Sequence, residues 1–398
     1  MACSPVHARK LAAYWFVSVG TLALQYAFSI IFVDLLEAFD GSRAATALVG
    51  STCAGVMDMA GYASGVAVAR RGERTCGAAG AVISGGALVL ASRAGALWHL
   101  FVTYGLVLGV GQSLALYSGV VCCNKWFSKR LALASALANT GAGVGPFAMP
   151  YLWSALRRAG GWRGGLAGLG AIVFCLLASA AAQLAPPPAA PKDAAAGDAG
   201  APLSRLPGIR RLCRTTFFFG WGFWTPAVHL VRLGLDRGHS RRRSEALLTI
   251  LGVGALTTRV PVGSLGDRFG RKLVFSLACG VYAATQAAVA LFQESYAGLA
   301  VFSFLVGSSI GSLLSLVPTL VMDVPEVARC PDALARASGL VCCFLGVGGL
   351  AGPVVAGALF DEYGSYVPGF GFGAAMLLGC VAALNAPDPP KEVAFAGA

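Results

Sequence analysis

The sequence predicts an all-α membrane protein, twelve transmembrane helices in two six-helix bundles, and three observations predict it. Of 398 residues, 57% are apolar and 12% charged, against about 45–50% and about 25% in soluble domains. The mean hydropathy is +0.71, more apolar surface than a water-soluble fold can hide. Apolar runs long enough to cross a hydrocarbon core of about 30 Å recur along the chain, and at about 33 residues per span and loop the length holds about twelve. A soluble enzyme and a disordered chain are excluded.

The spans follow in order, bounded by charges. The first six are expected near 11–36, 44–68, 76–92, 97–122, 131–155 and 164–184. Arg9-Lys10 precede the first, Arg43 the second and Arg70-Arg71 close it. Arg93, Lys125, Arg157-Arg158 and Arg163 punctuate the rest. Residues 186–208, with Pro186-Pro187-Pro188 and an Ala/Gly/Asp stretch, have linker composition. The last six are expected near 212–233, 245–265, 272–292, 297–322, 334–360 and 366–385. The implied domains are a first bundle at 1–185, a cytoplasmic linker at 186–208 and a second bundle at 209–398.

Charge asymmetry orients the chain. With the N-terminus inside, 19 Lys and Arg lie on the cytoplasmic side and 10 on the other, so both termini are expected in the cytoplasm. Arg241-Arg242-Arg243 then faces outward, against the trend. The net charge of +12 reflects these loops; no basic stripe interleaved with aromatics points to nucleic acid. Cys122-Cys123 and Cys342-Cys343 are adjacent pairs within apolar segments, and no spacing suggests zinc; the cysteines read as reduced. The N-terminus reads as the start of a first span, with no cleavage site.

The two halves repeat. Ala69-Arg70-Arg71-Gly72-Glu73-Arg74 follows the second span and Gly266-Asp267-Arg268-Phe269-Gly270-Arg271-Lys272 the eighth, with Gly72 and Gly270 198 residues apart. A parallel repeat is a transporter arrangement. Glycine permits a tight turn there, and Arg70, Arg71, Arg74, Asp267, Arg268, Arg271 and Lys272 can dock on helix ends and latch one conformation. These loops are the candidate gating elements.

Gly266 to Lys272 resembles the loop signature of the major facilitator superfamily. Trp126-Phe127-Ser128-Lys129-Arg130-Leu131-Ala132-Leu133-Ala134 with Gly141-Ala142-Gly143-Val144-Gly145 is similar to the fourth-to-fifth-helix region of the monocarboxylate transporter family. Gly352-Pro353-Val354-Val355-Ala356-Gly357, Asp361 and Tyr363-Gly364-Ser365-Tyr366 resemble that family's end of helix 11. Phe219-Gly220-Trp221-Gly222-Phe223-Trp224-Thr225-Pro226 with His229-Leu230-Val231 resembles its helix 7. The resemblance covers nearly the whole chain in order. It also shows departures. The helix-1 lysine of the family's proton-coupled lactate carriers falls at Tyr26, and the Asp expected four residues before the helix-8 arginine is Ala255. The arginine is present as Arg259. Proton–lactate symport does not carry over from the resemblance.

Arg259 lies eight residues before Asp267, about 12 Å along a helix and near the middle of the core. A charge at that depth costs at least about 2.5–3.5 kcal/mol, so it should face a cavity or a partner. Its planar fork suits a carboxylate, and it stays charged throughout. Snorkelling to the inner surface is the bland alternative. Asp58, twelve residues before Arg70, is the acid deep in the first half. It is a candidate proton carrier, or a charge partner of Arg259 across the cavity. His229, near the outer end of helix 7, is a candidate proton sensor because imidazole ordinarily titrates near pH 6.5; the bland reading is a hydrogen-bonded structural histidine. Asp34 and Glu37 read as solvated interfacial acids, and a gate role stays open for Asp34, which by the resemblance aligns with an acid common in the family. The glycine runs at 141–145 and 346–352 lie within spans without a following Lys-Ser/Thr, and suit close helix approach.

The expected function is transport of a small organic anion, most naturally a monocarboxylate, by alternating access between the two bundles. Arg259 is the substrate-binding residue; no cofactor, metal or catalytic group is expected. Two other readings stay open: a carrier of an uncharged or aromatic solute, which the absent lysine favours, and a non-transporting receptor or scaffold on the same fold. The bilayer is the expected surroundings and the plasma membrane the expected location. Proton coupling and a single-span accessory subunit are left open.

Overall fold

The computed structural model describes residues 5–127, 131–185, 206–324, 327 and 331–387. The expected linker lies almost wholly outside them, as do Ser128, Lys129 and Arg130 of the fourth-to-fifth-helix motif and the basic residues Lys192, Arg205, Arg329 and Lys391.

Every span must satisfy its own backbone hydrogen bonds in lipid, and twelve spanning segments are found among the described residues. They are α1 (Pro5–Phe39), α2 (Arg43–Met59, resuming at Gly61–Arg71) and α3 (Glu73–Ala91). Then come α4 (97–126) and a run, Leu131–Gln183, that leaves helical geometry at Gly160 and Gly161; the break separates α5 (131–159) from α6 (162–183). The second half holds α7 (Pro207–Phe223, resuming at Thr225–Asp236), α8 (Arg241–Phe269), α9 (Arg271–Ala287, with Val289–Phe292 beyond it), α10 (Tyr296–Met322), α11 (Pro331–Tyr363) and α12 (Val367–Asn385). Eight helices among the described residues are long and apolar enough to cross a membrane unbroken. The long run through Gly160 supplies a second crossing, and α2, α7 and α9, each interrupted by one residue, make up the twelve. The interruption in α7 falls at Trp224, two residues before Pro226, where a proline suits a restarting first turn. Two π-helical turns occur, at Val19–Ala23 in α1 and Phe101–Val107 in α4.

The internal repeat extends to the backbone. Gly72 joins α2 to α3 with φ 86° and ψ 154°, and Gly270 joins α8 to α9 with φ 94° and ψ 125°. A side chain is strained in that region. Gly72→Ala and Gly270→Ala are each expected to lower stability by about 1–2 kcal/mol, read as a drop in melting temperature of the detergent-solubilised protein; an unchanged melting curve in both would remove the argument for a shared turn.

The halves meet where α1 lies against α7, with Ser29 donating to the Val228 carbonyl at 3.2 Å, and along two seams of close helix approach. In the first, α2 runs beside α11. A methyl group added at Gly357 would lie 2.8 Å from the Ala44 nitrogen, one at Gly55 would lie 3.0 Å from the Gly346 carbonyl, and one at Gly339 would lie 3.6 Å from the Tyr62 Cα. Contact thus extends from one end of the pair to the other. In the second, α5 packs on α8, with Gly252 against Pro146 and Gly143 against Leu256. Small residues let the backbones approach this closely.

Candidate functional site

The candidate site is where the two seams flank the middle of the molecule. Arg259 lies mid-way along α8 and only 8% of it is exposed. Its Nη1 donates to the Asn139 carbonyl of α5, 2.7 Å away in the opposite half, and its Nε has no partner. One face of the guanidinium fork is therefore uncommitted. Tyr26 of α1 lies within electrostatic reach of Arg259 and packs edge-on against Trp224 of α7, ring centroids 5.5 Å apart. The position that the family resemblance assigns to a lysine thus stands beside Arg259, as an uncharged phenol.

Beyond Trp224 is a small cavity, about 10 Å³, lined by Gln25, Phe28, Gly50, Ser51 and Ala54 of the first half and Trp224, Val228 and Gly349 of the second. That is room for about one water. Buried Ser51 Oγ has no partner. Gln25 donates to Gln112 Oε1 of α4, and Gln112 Nε2 is unpartnered. Sequence reading missed Gln25, Ser51 and Gln112. Their signal was weak: neutral polar side chains inside apolar spans, indistinguishable from many that bond their own helix.

The other candidates lie elsewhere. Asp58 makes no ion pair with Arg259; the expected charge partnership is not formed, because Arg259 turns to the α5 carbonyl while Asp58 lies in the α2–α11 seam beside Gly346. His229 is fully buried. Its Nε2 lies 2.9 Å from the Pro353 carbonyl, and its ring sits between Phe32 and Tyr366 at 5.3 and 5.1 Å. Its Nδ1 is buried without a hydrogen-bond partner.

Asp34 requires a correction. It is not a solvated interfacial acid: only 7% of it is exposed, and it accepts from Trp153 Nε1 of α5 and Arg241 Nη2 of α8, each at 2.6 Å. Arg241 also pairs with Glu245 at 3.0 Å. The first member of the basic run at 241–243 thus bridges the halves. A second tie stands nearby. Arg43, at the start of α2, pairs with Asp236 at the end of α7 and stacks on Phe360, 3.5 Å from the ring centroid. The backbone N–H groups of Arg43 and Ala44 donate to the two Asp361 carboxylate oxygens at 3.1 Å each. An acid at a helix N-terminus satisfies orphan donors and favours the helix dipole. The halves are thus held by charge on the side opposite the linker.

On the linker side the described ion pairs stay within a half. Glu73, 1% exposed, pairs with Lys125 at 2.6 Å in the first. In the second, Arg271 pairs with Asp267 at 3.3 Å and Asp323 at 2.8 Å, tying the ends of α8 and α10. Gly266 is buried against Leu316. Arg70, Arg71, Arg74, Arg268 and Lys272 are exposed, and Gly72 and Gly270 make the turns. Among the described residues, the ion pairs of these loops brace helices within a bundle.

The Major Facilitator Superfamily sequence family matches the chain twice, over residues 14–228 and 212–397. The chain belongs to the Major Facilitator Superfamily. Within it, the chain is 28% identical over 370 residues to monocarboxylate transporter 13 of Rattus norvegicus, covering 92% of this chain and 85% of the relative. It is 28% identical over 388 residues to monocarboxylate transporter 11 of Homo sapiens, covering 92% and 80%. The fold is shared with a crystal structure of the nucleoside transporter NupG at a TM-score of 0.72 and 13% identity, over 94% of this chain and 98% of that one. The superfamily match begins afresh in the second half, as the loop repeat around Gly72 and Gly270 requires. The likeness to the monocarboxylate transporters spans both halves, so the Arg259 site and the far-side ties lie within it.

Proposed function

We propose that the chain transports a small organic anion, most naturally a monocarboxylate, whose carboxylate binds Arg259. One observation carries the reading: a permanently charged guanidinium, buried between the halves, whose hydrogen-bond partner among the described residues is one backbone carbonyl. A carboxylate offers two acceptors in one plane and full charge compensation, so it displaces a neutral carbonyl oxygen favourably in a low-dielectric site. The packed state described here leaves about one water's volume beside the site, so a solute needs the halves to part. Rocking of 1–185 against 209–398 about the site, with the Asp34–Arg241 and Arg43–Asp236 ties broken on one side, supplies alternating access. The 19-to-10 charge bias supports cytoplasmic termini, and the plasma membrane is the compartment in which the test is made.

The test is uptake of labelled lactate and pyruvate at pH 6 and pH 7.5 in carrier-deficient cells, beside Arg259→Ala and Arg259→Lys. Saturable uptake is expected from the unaltered chain, abolished in Arg259→Ala and not restored by Arg259→Lys, which has charge but no fork. Absence of uptake by protein shown to be at the cell surface would overturn the monocarboxylate reading. One observation favours a second reading, an uncharged or aromatic solute: the cavity lining is aromatic and neutral polar, from Phe28, Trp224, Gln25 and Ser51. Competition by neutral aromatic solutes in the same cells separates the two.

A further inference from the structure

Asp58 is an acid inside a membrane-spanning helix, and nothing cationic answers it. Among the described residues no ion pair or hydrogen bond is formed by its carboxylate, and the residue is half-buried. The titratable groups that face it are the Tyr117 phenol of α4 and the Cys342 and Cys343 thiols of α11. Tyr117 and Cys342 are hydrogen-bonded to each other. The Tyr117 hydroxyl lies over Gly61, one turn beyond Asp58 on the same stretch of chain, and a methyl group at Gly346 would come within 2.9 Å of the Asp58 Cβ. The acid therefore sits at a three-helix junction of α2 and α4 from one half with α11 from the other.

An ionised carboxylate without a counter-charge in such surroundings is costly. A phenol and thiols bring no positive charge, and the junction lacks the ring of oxygen ligands a metal cation needs. A proton is the neutralising ion that fits. The junction also straddles the seam along which the halves must separate, so its surroundings change with conformation. Arg259 stays charged in every state and cannot carry a proton, and the positions that the family resemblance assigns to a lysine and an aspartate hold Tyr26 and Ala255.

We propose that Asp58 is the proton-binding site of the carrier. Its carboxyl takes a proton from water while the junction is open to one side, carries it as an O–H bond while α2 and α11 are packed, and releases it to water when they part toward the other side. The proton taken up on one side is thereby given up on the other, in step with the anion at Arg259. The inference rests on the transport reading of Arg259, but it can be tested apart from it.

Backbone hydrogen exchange of purified full-length protein is followed over 43–71 and 331–363 at pH 6 and pH 8, after correction for intrinsic exchange. The unaltered chain is expected to be better protected at pH 6. Asp58→Asn, permanently neutral and nearly isosteric, is expected to show the protected pattern at both pH values. An unaltered chain without pH response, or Asp58→Asn that keeps it, overturns the proposal. Should Asp58→Asn fail to fold, Asp58→Glu serves: it must retain the pH response with a displaced midpoint, and an identical midpoint overturns the proposal. In proteoliposomes Asp58→Asn should lose lactate-driven proton flux yet keep lactate exchange, because exchange needs Arg259 alone; retained flux counts against Asp58. A carrier that moves no lactate, yet passes the exchange test, refutes the monocarboxylate reading and leaves Asp58 standing.

Discussion

Arg241→Ala is expected to open the side of the molecule opposite the linker. The substitution strands Asp34, 7% exposed, with Trp153 Nε1 as its remaining donor. Breaking a buried ion pair from one side costs about 3–5 kcal/mol. Arg241 keeps 24% of its side chain in solvent, so screening reduces this to about 2 kcal/mol. At 1.4 kcal/mol per tenfold, the balance between closed and open forms shifts roughly 30-fold. The measurement is modification of a cysteine placed at Ser42, beside the far-side ties, by an impermeant thiol reagent. Faster labelling is expected in Arg241→Ala, and the pair Asp34→Asn with Arg241→Gln should recover most of the original rate because neither charge is then left alone. A double substitution labelled as fast as the single one would show that the ion pair does not hold this side shut.

Gly311→Ala is expected to disable the carrier without touching the guanidinium. A methyl group there would lie 2.1 Å from the Ala255 carbonyl oxygen, and one at Gly307 would lie 1.9 Å from that of Leu251. Both obstacles are backbone, so α8 and α10 must separate. Overpacking of this kind costs about 1–3 kcal/mol or more. Ala255 is one turn before Arg259, so the separation also displaces the fork from Asn139. A lower melting temperature and lost uptake are expected together. Gly280→Ala on α9 is the control, because nothing lies within 4 Å of the added methyl; it should leave both readouts unchanged or raise stability by about 0.5–1 kcal/mol. Equal effects of the two would refute the packing argument.

The candidate site was legible in part. Arg259 stood out because a charge deep in a span is costly and must have a use. Trp224 and Pro226 stood out through the helix-7 pattern. The Ser51, Gln25 and Gln112 group did not, because a neutral polar residue barely alters hydropathy, and whether it bonds its own helix or faces a cavity depends on its rotation about the helix axis. The burial of Asp34 was not legible for a related reason. Its partner Arg241 is 207 residues away, and the charge pattern near residue 34 carries no trace of it.

By itself the sequence determined the twelve spans, the repeat of two halves and the glycine turns between second and third helices. Each follows from local physics: a span must satisfy its own backbone in lipid, and a turn at positive φ favours glycine whatever surrounds it. Tertiary structure alone decided which charges meet. It set Arg259 against a carbonyl of the other half, joined Asp34 to Arg241 and Arg43 to Asp236 and Asp361, and left Asp58 without a counter-charge among the described residues. Those pairings depend on how two separately folded bundles are rotated and shifted against each other, and no local pattern in the chain records that relation.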